Sequence, residues 1–117
     1  MKSHQDPRHI RRIKNMQAVF AHNCGNSEPS TPDSVEIISH LVEIDQSIST
    51  FAPKWPIAKI NQVDLSILRC AIWELLFQKN TPPKVIIDEA VELAKEFGTD
   101  SSPSFVNGCL GGILKTE

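Results

Sequence analysis

A chain of 117 residues with 40% hydrophobic and 22% charged residues has the make-up of one globular domain with a modest core. A formal net charge of -2 excludes a uniformly basic nucleic-acid binder. No apolar run approaches the roughly 18 residues of a membrane span, and no signal-peptide core opens the chain, so a cytoplasmic protein without membrane contact is expected.

Residues 1–7 read as a flexible basic tail. Charge is unevenly spread: Lys2, Arg8, Arg11, Arg12 and Lys14 face one acid, Asp6, whereas residues 15–53 hold five acids and no Lys or Arg. This asymmetry reads as a cationic arm for a polyanion on a neutral to acidic body. A first helix is predicted from His9 to about His22, with Ile10, Ile13, Gln17 and Phe20 as its stripe and Met16 and Val19 beside it. Arginines in its first turns oppose the helix dipole, a local cost that points toward function.

Residues 23–32 form a loop rich in Pro, Ser and Asn. A second helix is predicted from Asp33, with Glu36 three residues on, to Pro53. Its stripe is Ile37, Leu41, Ile44, Ile48 and Phe51, widened by Ile38 and Val42. Trp55-Pro56-Ile57 makes a short turn. A third helix runs from Gln62 to Gln78 and is apolar over more than half its circumference, which makes it the central, most buried one.

Pro82-Pro83 breaks the chain before a fourth helix, Val85 to Phe97, with Gly98 placed as a left-handed terminating residue. Ser102-Pro103 opens a last helix as cap and first residue. Its internal Gly108, Gly111 and Gly112 mark close packing or a fraying end. Cys70 and Cys109 read as core residues. Cys24 completes an odd, widely spaced set that fits a reducing compartment and forms no zinc motif, so neither metal nor cofactor is expected. His4, His9, His22 and His40 lie in no nucleophile setting, so no catalytic residue is assigned and no enzyme is expected. The fold class is all-α, a compact single-domain bundle of about five helices.

Three blocks carry a family resemblance: Trp55 through Leu75 (WPIAKINQVDLSILRCAIWEL), Val85 through Gly98 (VIIDEAVELAKEFG) and Phe105 through Leu110 (FVNGCL). In this order and spacing the chain resembles the NusB family, with one peripheral helix missing from the shortened middle region. The resemblance implies a factor that binds single-stranded boxA-type RNA together with the ribosomal protein NusE. It acts within an RNA polymerase antitermination complex on ribosomal RNA operons. An alternative is a NusB-like structural or accessory domain, acting as a homodimer or in ribosomal RNA modification; no catalytic domain is present in the 117 residues.

The implied RNA-binding residues are Lys2, Arg8, Arg11, Arg12 and Lys14 for phosphates, and Phe20 and Phe105 for stacking on splayed bases. Phe20 serves equally well as core. Asp64 accepts from a base edge or a partner, or simply satisfies a helix N-terminus. Ser101 and Ser104 flank a helix start suited to phosphate. Asp88, Glu92 and Glu96 form an acidic face that suits a basic partner or plain solvation. Asn107, Arg69 and Glu74 are expected to tie helices together. The arm and the aromatic edge are expected to form one continuous groove.

Overall fold

The computed structural model describes residues 6–26 and 30–116. Lys2, and with it most of the expected tail, lies outside the described residues. Among the described residues six α-helices follow in order: α1 Pro7–Asn23, α2 Pro32–Ser39, α3 Leu41–Phe51, α4 Gln62–Trp73, α5 Pro83–Phe97 and α6 Ser102–Thr116. A single 3-10 turn, Ile57–Lys59, precedes α4, and a π-turn, Glu74–Gln78, prolongs it. No strand occurs among the described residues.

The all-α expectation holds, with one helix more than about five. The extra one comes from a break at His40, where ψ swings to 16° and the predicted second helix becomes α2 and α3. The change of direction turns Val42 outward, 71% exposed, while Ile37, Ile44 and Ile48 stay fully buried. The start of α2 is also earlier than predicted. Thr31 is its cap: the Thr31 hydroxyl accepts from Ser34 N–H, and the Ser34 hydroxyl accepts from Thr31 N–H, both at 2.9 Å. This reciprocal pair satisfies two orphan donors, so Ser34 rather than Glu36 holds the reciprocal position.

Helix α4 is the centre of the bundle, with every residue from Asp64 to Trp73 buried. It contributes Leu65, Ile67, Leu68 and Ile72 to a core completed by Val19, Ile86, Val106 and Leu110. Arg69 is buried in α4 and forks onto Asp45 of α3 at 3.0 and 2.8 Å, while also donating to Asn23 of α1. Glu74 accepts a two-bond fork from Arg12 of α1, so both Arg69 and Glu74 tie helices together as expected. Asn107, expected to tie helices, lies exposed instead.

Helix α1 begins two residues before its predicted start. Asp6 caps it, its Oδ1 accepting from Arg8 N–H at 2.8 Å, and Pro7 supplies the preset first φ. Its inward face is also turned from the predicted one. His9, Met16 and Val19 are buried, whereas Ile10 and Phe20 are 37% and 36% exposed. Polar residues take inward places because carboxylates from distant elements meet them there.

Glycine has two separate roles at the α5–α6 corner and beyond. Gly98 has φ -95° and ψ -161°, so it is extended rather than left-handed. What excludes a side chain is space: a Cβ there would lie 2.5 Å from Ser102 Oγ and 2.8 Å from the Ala94 carbonyl. Ser102 is the first residue of α6 and not its cap; its hydroxyl accepts from Thr99 N–H and closes the corner. Gly112 admits Phe51 of α3, whose ring would meet a Cβ at 2.7 Å, while Gly108 and Gly111 face open space.

Candidate nucleic-acid interface

The arginines of α1 are each engaged by a carboxylate. Arg8 bonds Asp6 at 3.3 and 3.1 Å. Arg11 forks onto Asp33 at 2.7 and 2.9 Å. Asn15 donates to the same Asp33 at 2.8 Å and accepts from the Thr31 hydroxyl. The Arg11 hydrogen bond, reinforced by Asn15, holds the Asp33 carboxyl below the usual carboxylate range. Arg12 forks onto Glu74 at 2.9 and 2.8 Å and lies 3.6 Å from Glu89. His9 sits between Glu89 at 3.6 Å and Glu96 at 3.3 Å.

Exposure separates these groups. The Arg8 and Arg11 side chains are 83% and 67% exposed, while that of Arg12 is 14%. Arg8 and Arg11 can exchange a carboxylate for a phosphate at the surface, where an ion pair is worth little. Arg12 is committed to the interior. Lys14 is exposed and lines a shallow apolar cleft with Arg11, Ile10 and Pro32.

A second concavity lies elsewhere. The first turn of α4 and the start of α6 bring Asp64, Ser101, Ser104 and Phe105 around one cavity of about 410 Å³, together with Trp55, Lys59, Ile60 and Asn61. Asn61 caps α4, its Oδ1 accepting from Val63 N–H at 2.8 Å and Asp64 N–H at 3.3 Å. That cap brings the Asp64 carboxylate to the helix N-terminus, where the dipole favours it. Asp64 is 7% exposed, and its Oδ1 takes no hydrogen bond from the described residues. Phe105 is half-buried against the core. The Ser104 hydroxyl donates to the Ser101 carbonyl at 3.2 Å.

The cationic end and this cavity are separate patches. Arg12 bonds Glu74 beyond one end of α4, and Asn23 bonds Ser66 near the other, so α1 runs antiparallel to α4. From Asp64 to Glu74 is ten residues, about 15 Å along the helix. The two sets share no lining residue, so the single groove expected from the sequence resolves into two separate patches. Phe20 is at the Asp64 end of α1 but lines neither cavity.

Of the expected acidic face, Asp88 is exposed, Glu92 lies 3.5 Å from Lys95, and Glu96 faces His9. Two residues of the cavity, Trp55 and Lys59, had stood out only as parts of a motif and a turn. The available signal was a Trp-Pro pair outside any amphipathic stripe. Among the described residues, no group of three or more His, Cys, Asp or Glu is placed to hold a metal ion, and no helix is long and apolar enough to cross a membrane.

Comparison with known proteins gives a consistent result. The model of the NusB family matches residues 34–115. The chain is 48% identical over 80 residues to a transcription antitermination protein NusB of Geobacter sulfurreducens, covering 68% of this chain and 58% of that one. It is 44% identical over 91 residues to the protein of that name from Beutenbergia cavernae, covering 74% and 60%. The matched region thus spans about 60% of these relatives' length. The structure of T. maritima NusB superposes with a TM-score of 0.79 at 35% identity, covering 98% of this chain and 93% of that one.

Proposed function

The chain belongs to the NusB family, and on that premise we propose that it is a non-catalytic transcription antitermination factor. In this reading it binds single-stranded boxA-type RNA together with the ribosomal protein NusE and works within an RNA polymerase complex. One observation carries the reading. Two segments nearly forty residues apart, at the starts of α4 and α6, place Asp64, Ser101, Ser104 and Phe105 around one cavity.

An aromatic face beside a hydrogen-bonding carboxylate suits an unpaired base, which stacks on flat side chains and presents its edge. Duplex RNA hides those edges. The exposed cations Arg8, Arg11 and Lys14 lie toward the other end of α4. There they neutralise phosphates of the same strand and release counterions. Arg12 contributes by holding α1 against Glu74 and Glu89. The exposed Asp88 is available to a basic partner such as NusE.

The test is fluorescence anisotropy with a boxA-type oligonucleotide, single-stranded and as a duplex, with and without NusE, across salt concentrations. Binding is expected for the single strand and tighter with NusE. Phe105→Ala weakens it by roughly 1–3 kcal/mol, the range for one stacked base. Arg8→Ala with Arg11→Ala makes the salt dependence shallower. Equal binding to duplex and single strand, or none to either, overturns the proposal.

A further inference from the structure

Resting on the RNA-binding reading above, we propose that Lys79 and Lys84 are further phosphate-contacting residues, which extend the cationic end of α1 across the π-turn to the start of α5. The starting point is the charge balance at that end. Arg8, Arg11 and Arg12 each meet a carboxylate, of Asp6, Asp33 and Glu74. These pairs sum to zero, so the arginine cluster projects little net charge at a distance. Lys79 and Lys84 are exposed, and among the described residues neither makes an ion pair. Their charge stays uncompensated.

Both belong to the segment that packs beside the arginines. Lys79 and Lys84 bracket residues 80–83. Asn80 and Thr81 line a concavity of about 190 Å³ with Arg8, Arg11 and Arg12. The same two residues line an adjoining concavity of about 390 Å³ with Pro82, Val85, Arg8 and Arg12. A phosphate backbone seated at Arg8 therefore lies against the segment that carries both lysines.

Each lysine also occupies a backbone position that disfavours it. Lys79 is the one non-glycine among the described residues with positive φ, at φ 57° and ψ 24°. A Cβ makes this left-handed conformation costly, whereas glycine takes it freely. The turn is nonetheless well held. Lys79 N–H donates to the Glu74 carbonyl at 3.0 Å, and Asn80 Nδ2 donates to Gln78 Oε1 at 2.7 Å. Glu74 also accepts the Arg12 fork, so one residue fixes both this turn and α1. Lys84 stands in the first turn of α5, where its charge opposes the helix dipole. Stability alone favours glycine at 79 and an acid at 84. Two local rules broken on one rim point to function.

The experiment follows anisotropy of a labelled single-stranded boxA-type oligonucleotide on the full chain across salt concentrations, with thermal unfolding of every variant. Lys79→Gly and Lys84→Ala are each expected to weaken binding severalfold without lowering the melting temperature. Each is also expected to make the log–log salt dependence shallower by about 0.7, the value of one single-strand phosphate contact. Lys79→Arg keeps the affinity. Lys95→Ala removes equal charge eleven residues along α5 from Lys84, about 16 Å away, and leaves affinity and slope unchanged. A merely structural role would lower binding and melting temperature together. Should Lys79→Gly melt lower, Lys84→Ala decides, because it leaves the left-handed turn intact. If the wild-type chain binds while both lysine variants match it, or weaken it no more than Lys95→Ala does, this proposal is overturned and the RNA-binding reading survives. If the wild-type chain does not bind the oligonucleotide, both fall.

Discussion

Replacing Arg12 with methionine separates an interior cation from the surface arginines beside it. The Arg12 and Glu74 side chains are 14% and 16% exposed and share a two-bond fork. Removing the guanidinium leaves Glu74 and the buried Glu89 without their shared cation. Breaking one side of a buried pair costs about 3–5 kcal/mol; the partial exposure puts this case near the lower end, about 3 kcal/mol. Unfolding entropy of about 2.1 cal/mol/K per residue gives about 0.25 kcal/mol/K for 117 residues, so the melting temperature should fall by about 12 °C. Arg11→Ala, at a side chain 67% exposed, should cost under about 1 kcal/mol. Urea and thermal unfolding followed by helical circular dichroism measure both. Adding Glu74→Leu to Arg12→Met should recover a large part of the loss, because the orphaned charge goes with it. A drop of only a few degrees for Arg12→Met would mean that Arg12 is as screened as Arg11, and the buried-network argument would fail.

The glycines give opposite signs in one helix region. Gly98→Ala should destabilise by about 1–3 kcal/mol, since its Cβ meets Ser102 and the Ala94 carbonyl. Gly108→Ala, in open space within α6, should stabilise by about 0.5–1 kcal/mol in the same denaturation assay. For the thiols, burial pushes Cys70 far up and Cys109 up to about 11. Cys24 is exposed, so a thiol reagent at neutral pH should modify one cysteine in the native protein and three after unfolding. Asp33 supplies the acid dependence. Its carboxyl is depressed by Arg11 and Asn15, so its contribution is complete above the unfolded carboxylate value of about 3.9. That contribution is lost as pH falls through the lower folded value. The melting temperature of Asp33→Asn should approach that of the unaltered chain as pH drops below about 4; a constant gap down to pH 2 would refute the assignment.

The sequence by itself determined that the chain is helical, where most helices lie, and that Gln62–Gln78 is the centre. These follow from apolar spacing and from prolines at boundaries, which act within a few residues. Family motifs also pointed to Asp64, Ser101, Ser104 and Phe105. The tertiary structure decided which face of α1 turns inward, because the carboxylates that admit His9 and Arg12 come from residues 62 to 87 positions away. It alone showed the break at His40, which no Gly or Pro announces, and the space around Gly98, which depends on Ser102 across the corner. It also divided the expected groove into two patches and brought Trp55 and Phe105 to the lining of one cavity. Proximity of that kind arises from helix packing, and no local pattern of residues encodes it.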